Sequence, residues 1–436
     1  MTIDEVFREL ALSESAEGLS RGWDLSQGCF PGLPLFFLDE SYIRENAALV
    51  SLDARAIDYL CQVAGQYARN EAMGRLLWHE HRVYTRSGDA GAPPAPPRRR
   101  RGRGGRDFVA FLDEEYQASG FPDLDPTIGD AAPGLNLLLA LSALPNTRWF
   151  YQSRHIPETI LRATLSDFAI WYSYYDRQLG YKGIDLGTLS WLRFHLRGQL
   201  FRLGRLQFMQ GEFSRDLSVY RSIRTGEVRA LAAPGLPVDS RGLLAFDDRS
   251  VGEVWYTRRR TEQDSIIGNP VDPLGVIRSA EIQLDISEFL PVLEANSPVL
   301  EVHIPEGGSI RPEACEDSFN RALEFFSAYF PERPFRAFTC ESWFLGRDLL
   351  DLLPEASNIL RFSRELFLYP SFGGHEDILA RVFGPRYREK GLPSREHATL
   401  LQQRVADFVD SGGVLRHGGG FLLREDLPWG GNRYRT

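Results

Sequence analysis

The chain has 436 residues, of which 43% are hydrophobic and 25% charged, and a formal net charge of −9 at pH 7. That length allows two or three domains of ordinary globular composition. The acidic balance argues against wholesale nucleic-acid binding, and no run of 18 or more apolar residues offers a membrane span.

The opening Met1-Thr2-Ile3-Asp4-Glu5 lacks the basic and apolar regions of a signal peptide. Cys29, Cys61, Cys315 and Cys340 are scattered, without a CxxC pair. This disfavours a zinc ribbon, a redox dithiol or a disulfide scaffold, and makes a cytoplasmic location the expectation. Lys182 and Lys390 are the only lysines among 50 basic residues, and neither sits in a Gly-Lys-Ser/Thr phosphate loop.

Residues 43–84 read as helical, with Ile57, Leu60, Cys61, Ala64, Tyr67 and Ala68 on one face. Residues 87–106 hold four prolines and then arginines among glycines, a composition that buries no core and predicts a disordered insertion. From Asp107 to Gly180 the pattern is helical again. Leu161, Leu165, Phe168, Tyr172, Tyr175 and Leu179 form a stripe that serves helix packing or an aromatic wall for an apolar ligand.

After Gly187 the period changes, and Trp191–Phe208 is expected to end as a strand. Residues 211–275 offer short strands at most, and Ile277–Ile286 alternates as a half-buried strand does. Val299–Pro305 is an apolar strand carrying Glu301 and His303, broken by Glu306-Gly307-Gly308-Ser309. A helix follows to about Phe330, with Pro312 in its first turn and Cys315, Phe319, Ala322, Phe326 and Tyr329 on its inner stripe. A strand over Phe335–Leu345, a helix over Asp348–Phe362 and a short strand over Leu366–Tyr369 come next. Ser394 is read as the cap of a helix reaching Asp410, and Val414–Leu423 as a glycine hairpin.

The expected fold class is therefore α/β (α+β): a helical region over 1–190, strands and connector over 191–290, and a mixed sheet with flanking helices over 291–436. A strand, a glycine turn and a helix N-terminus make a site for an anion on backbone N–H groups. Neither HExxH, GxGxxG nor an EF-hand loop occurs. In His79-Glu80-His81 the histidines stand two apart, off a shared helical face, so no metal site is expected.

His303-Ile304-Pro305-Glu306-Gly307-Gly308, Cys340-Glu341-Ser342-Trp343 and Leu353-Pro354-Glu355-Ala356-Ser357-Asn358-Ile359 resemble the C-terminal, GNAT-like domain of bacterial two-domain N-acyltransferases. Ile156-Pro157-Glu158, Leu165-Ser166-Asp167 and Phe201–Phe208 resemble the N-terminal domain paired with it. The resemblance implies acyl-CoA or acetyl-CoA as co-substrate and an amine, on a small molecule or a peptide, as acceptor. It implies that Gly307, Gly308, Ser309, Ile310 and Arg311 form the turn that holds the cofactor, with Asn358 facing it from a later helix. The acids Glu306, Glu313, Glu316 and Asp317 surround that turn; in a first helical turn they complement the macrodipole, and they repel a pyrophosphate.

Acyl transfer to an amine needs a base for the amine, a donor for the oxyanion and a proton for the departing thiolate. His303 is the expected base, since an imidazole titrates near neutrality, and Glu301 points to the same strand face and shares that role through a water. Ser342 or Tyr369 is the expected proton donor to the thiolate. Cys340 as a covalent nucleophile is an alternative that no motif supports. The competing reading is a non-catalytic protein of the same fold that binds acyl-CoA or another small ligand, because a fold does not establish chemistry.

Overall fold

The computed structural model describes residues 1–12, 22–85, 124, 128–245, 252–390 and 398–435. The predicted insertion at 87–106 and the Ser394 cap lie outside them. The chain forms two compact units that divide between Arg202 and Leu203. The expected connector over 191–290 is thus shared, with Trp191–Arg202 in the first unit and Leu203 onward in the second.

The described part of the first unit is helical: α1 (Ile3–Glu9), α2 (Trp23–Gln27), α3 (Glu40–Ala47), α4 (Ala54–Tyr67), α5 (Glu71–Thr85), α6 (Ala132–Leu141), α7 (Leu144–Ser153), α8 (Glu158–Leu165), α9 (Asp167–Gln178) and α10 (Leu186–Leu196). Helix α6 is buried along its whole length, which its run of leucines dictates, and it packs against α4 and α10. Asp53 caps α4 by accepting from the Ala56 N–H. The inner face of α4 is Ala56, Leu60, Val63, Ala64 and Tyr67, so the stripe is turned by one residue and Ile57 and Cys61 are half-buried. The long stripe from Leu161 to Tyr175 is real but spans two helices, α8 and α9, that meet at Ser166.

His79 and His81 on α5 do not share a ligand. His79 Nδ1 lies 2.8 Å from Ser26 Oγ, and His81 Nδ1 lies 2.9 Å from Ser142 Oγ. Burial pushes both imidazoles down to about 4, with Arg82 adding to the shift at His81. Unfolding restores the ordinary affinity for protons, so stability falls as pH drops from about 6.5 towards 4. The deep burial of His79 makes its share on the order of 3 kcal/mol. Neighbouring Glu80 is shifted upward by its own burial, so its contribution runs the other way, declining as pH rises above its ordinary value. Denaturant midpoints measured from pH 7 to pH 4 should therefore fall steeply in the wild type and less steeply in a His79→Gln, His81→Gln double variant. An equal slope in both would refute this assignment.

The second unit is built on a six-stranded sheet: β1 (Leu200–Leu203), β2 (Leu206–Glu212), β3 (Pro298–His303), β4 (Ala337–Ser342), β5 (Phe367–Pro370) and β6 (Gly418–Leu423), in the order β1-β2-β3-β4-β6-β5. The stretch 191–208, expected to end as a strand, continues helix α10 first and then ends in the β1–β2 hairpin, turned at Gly204 with φ +77°. Between β2 and β3 the connector carries a two-stranded ribbon, Pro237–Val238 with Trp255–Tyr256, and two larger antiparallel sheets. One pairs Leu217–Ser222 with Phe289–Leu293 and Val228–Ala232, which also pairs with Pro270–Val271; the other joins Arg259–Thr261, Ser265–Gly268 and Ile282–Asp285.

Strands β3 and β4 are parallel and joined by helix α11 (Pro312–Tyr329). The inner face of α11 holds Cys315, Ser318, Phe319, Ala322, Phe325 and Phe326. Phe319 meets Phe208 and Phe338 at 5.7 and 4.8 Å between ring centres. The helix expected over 348–362 is two pieces, α12 (Arg347–Leu350) and α13 (Asn358–Arg364), because Pro354 breaks the stretch between them. Further on lie α14 (His375–Phe383), α15 (Tyr387–Lys390) and α16 (Leu400–Asp410). Thr399 and Gln402 close a capping box on α16.

The glycine hairpin expected at 414–423 is also corrected. Gly418-Gly419-Gly420 starts a single buried strand, β6, flanked by β4 and β5. The glycines serve close approach rather than a turn: a Cβ on Gly419 would lie 2.2 Å from the Tyr369 ring, and one on Gly418 would lie 2.2 Å from the Leu345 carbonyl oxygen.

Candidate active site

The sheet opens where two parallel strands part. Strands β3 and β4 pair through Val299, Leu300 and Glu301 with Ala337, Phe338 and Thr339. Beyond that point Val302 and His303 pair with Phe208 and Gln207 on β2, while Cys340–Ser342 pair with Gly420–Gly418 on β6. A cleft therefore begins past Glu301, at the C-terminal ends of parallel strands, where open α/β sheets take their ligands.

Alternation along the strands sorts the polar residues. Glu301 and His303 share a face with Thr339 and Glu341, and the cross-strand register carries that face on through Gly419 to Tyr369. The opposite face, with Leu300 and Phe338, is covered by α11. Glu301, His303 and Tyr369 are thus brought to one side, whereas Ser342 points with Cys340 to the other. The Ser342 hydroxyl is therefore on the face opposite His303. Burial pushes the Cys340 thiol well above its ordinary value, which removes the thiolate a nucleophile needs.

His303 Nε2 stands 3.9 Å from Glu301 Oε2, beyond direct hydrogen bonding and within charge interaction. Glu301 is buried and packs on Gly211, where a Cβ would lie 2.7 Å from its Oε1. His303 is half-buried at the mouth of the cleft. On the same face, Arg215 Nε donates to Tyr369 Oη at 3.3 Å, and its Nη2 pairs with Glu341 Oε2 at 2.8 Å. Ser371 Oγ donates to Glu341 Oε1 at 2.7 Å. Burial raises the Tyr369 phenol above its ordinary range although Arg215 opposes the shift, so the phenol keeps its proton at neutral pH.

The glycine turn lies past the end of β3. Gly307 and Gly308 both take left-handed backbone, φ +87° and +75°, which side-chain-bearing residues rarely adopt. Ser309 and Arg311 are exposed and Ile310 is buried. Asn358 opens α13, and its Nδ2 donates to Ser309 Oγ at 2.7 Å, so two segments 49 residues apart meet at this turn. Helix α11 starts at Pro312 without a side-chain cap. Sequence reading gave no place here to Arg205, whose Nη2 donates to the Gly308 carbonyl at 2.9 Å. It adds a cation against the surrounding acids, of which Asp317 is paired with Arg321 at 2.7 Å. Only the hairpin register brings Arg205 to the turn, through a Ser318 Oγ that accepts from its backbone N–H at 2.8 Å.

A second constellation also escaped the sequence. In the first unit Asp167 Oδ2 accepts from Trp171 Nε1 at 3.1 Å and Trp191 Nε1 at 3.3 Å, and lies 3.1 Å from His195 Nε2. His195 is fully buried and Asp167 nearly so. The signal was faint: Asp167 and Trp171, and likewise Trp191 and His195, stand at i, i+4, one helical face each. Nothing in the sequence shows that those two faces meet. A carboxylate that orients an imidazole is a general-base arrangement. Among the described residues no group of three or more His, Cys, Asp or Glu side chains is placed to hold a metal ion.

The chain matches the N-acyltransferase N-terminal domain over residues 43–198 and the GNAT-like C-terminal domain over residues 200–422. No curated protein matches it. Among solved structures it is similar to an acyltransferase in complex with decanoyl-CoA, at 23% identity and a TM-score of 0.59, over 98% of this chain and 100% of that one. A complex of an acyltransferase with decanoyl-CoA and teicoplanin gives 22% identity and a TM-score of 0.60, over 97% and 99%. A further complex, with CoA and 10C-teicoplanin, gives 22% and 0.60 over the same shares. With the GNAT-like model covering more than half of its length and the N-acyltransferase model directly before it, the chain belongs to the GNAT-like acyltransferase family in its two-domain form.

Proposed function

We propose that the protein transfers an acyl group from acyl-CoA to an amine by direct attack, without a covalent enzyme intermediate. The observation that carries this reading is the cleft between β3 and β4, with Glu301, His303 and Tyr369 on one face and the Gly307-Gly308 turn past its end. The parted strand edges suit the amide-bearing arm of CoA, and the turn with Arg205 and Arg311 suits its phosphates. His303, aided by Glu301, takes the proton from the attacking amine. Tyr369 gives a proton to the departing thiolate. Ser342 has no part in this scheme, given its face.

The acceptor is an amine on a small molecule or a peptide, and a glycopeptide amine is the first to test, since a similar structure holds teicoplanin beside its acyl-CoA. A cytoplasmic setting fits the four free thiols and the acyl-CoA requirement, and no helix among the described residues is long and apolar enough to cross a membrane. A second base candidate, His195 with Asp167, is favoured by the three N–H groups gathered on one carboxylate oxygen.

Thiol release should be followed with acetyl-CoA and decanoyl-CoA against a panel of amines, beside thermal shifts with each CoA ester. Acyl-CoA at a hundredfold excess over its Kd should stabilise by about 2.7 kcal/mol, and thiol release should depend on the amine. No stabilisation at millimolar acyl-CoA sinks the proposal. Stabilisation without amine-dependent release supports the non-catalytic binder.

A further inference from the structure

The reaction needs a proton at the thiolate, and the buried Tyr369 phenol must lose and regain one. A lone buried phenol is a poor donor, because the phenolate it leaves behind is costly away from water. The structure supplies a partner for that phenolate. Arg215 comes from the loop after β2, its side chain only 15% exposed, and reaches both the Tyr369 oxygen and Glu341. Ser371 holds the other oxygen of Glu341, so the guanidinium is fixed by a carboxylate that is itself fixed. Below, Gly419 leaves room for the phenol ring, whose position a Cβ would fill.

We propose that Arg215 is a positioning residue for proton donation: it orients the Tyr369 hydroxyl and carries the compensating charge while Tyr369 is a phenolate. This inference rests on the reading of Tyr369 as the proton donor. As the C–S bond breaks, the sulfur keeps the bonding pair and takes the Tyr369 proton. The amine proton passes to His303, and afterwards from His303 through solvent to the phenolate, so no proton is gained or lost by the enzyme. Burial by itself would lower the Arg215 pKa, yet Glu341, Tyr369 and Glu301 together hold it above the ordinary guanidinium value, so the charge is permanent.

The test compares two acyl donors: acyl-CoA, whose alkyl thiolate needs a proton, and the acyl thioester of an aromatic thiol, whose thiolate leaves without one. Arg215→Gln should lower kcat with acyl-CoA about tenfold or more, short of the roughly hundredfold or greater loss of a general acid itself because the phenol remains, with KM little changed. With the aromatic thioester its kcat should be within about threefold of wild type, a general acid no longer being needed. Tyr369→Phe should show the same pattern. Because Arg215→Gln leaves Glu341 without its cation, the Arg215→Gln, Glu341→Gln variant serves as the folded control and should show the same donor dependence. An equal deficit on both donors, or full activity of both Arg215 variants beside an impaired Tyr369→Phe, overturns the role of Arg215 alone. Full activity of Tyr369→Phe with acyl-CoA overturns the proton-donor reading, and the Arg215 role with it.

Discussion

Replacing His303 by Ala should lower acyl-CoA turnover at least about tenfold, the loss falling on kcat rather than on the affinity for acyl-CoA. The argument is one of placement. His303 is the last residue of β3, half-buried, at the point where β3 has left β4. It is close enough to Glu301 to feel its charge, at 3.9 Å and beyond a direct hydrogen bond. An imidazole there reaches an amine entering the cleft, and a neighbouring carboxylate stabilises the imidazolium that forms. His303→Gln should be nearly as impaired, since it retains a hydrogen bond but no usable base. His195→Ala, measured beside it, separates the two candidates. If His195→Ala abolishes turnover while His303→Ala leaves it intact, the base is the Asp167–His195 pair and the role given to His303 is wrong.

The largest expected effect on stability is at Arg416. Its guanidinium pairs with Asp239 at 3.1 Å and with Asp348 at 3.3 Å, and all three side chains are almost completely buried. Arg241, partly exposed, reaches the same acids, at 2.7 Å on Asp348 and 3.7 Å on Asp239. Arg416→Met keeps much of the side-chain bulk and leaves two buried carboxylates with Arg241 as their remaining cation. Breaking a buried pair from one side costs about 3–5 kcal/mol, which for a unit of this size lowers its unfolding midpoint by roughly 10 °C. Burial already holds the Asp348 carboxyl above its ordinary value despite both arginines. A group whose affinity for protons is raised in the folded state loses stability as pH rises, so the deficit of Arg416→Met should be larger at pH 7 than at pH 4. Adding Asp348→Asn should recover part of the loss. A denaturation midpoint within about 0.5 kcal/mol of wild type, the ordinary range for surface substitutions, would show that the network is not structural. The consequence reaches the active site, because Arg416 and His417 lead into β6, and the glycines of β6 seat Tyr369.

Periodicity made the helical first unit and the strand–turn–helix–strand of the second legible. Those signals are local: an apolar residue every three or four positions on α8, α9 and α11, an alternation along β3, and two glycines at a turn that requires left-handed backbone. The composition of the glycine run at 418–420 misled, because glycine marks both turns and close backbone approach, and only packing tells them apart. Here the Tyr369 ring on one side and the Leu345 carbonyl on the other choose the strand. The same ambiguity hid the break at Pro354, read as part of one helix.

The site was half legible. Glu301 and His303 stand two residues apart on a strand, so their shared face follows from the pleat alone. Gly307 and Gly308 announce a turn before a helix. That Tyr369 shares their face, that Ser342 does not, and that Arg215 reaches Tyr369 and Arg205 the glycine turn are matters of register between strands far apart in the chain. Asp167 and His195 depend likewise on two helix faces meeting. The sequence by itself determined most of the helical and strand segments and the residue types able to exchange protons, because these follow from side-chain period and chemistry. Only the tertiary structure decided which of those residues face one another, because pairing register and close approach are set by the packing of the whole sheet, and a shift of one residue turns every side chain to the opposite face.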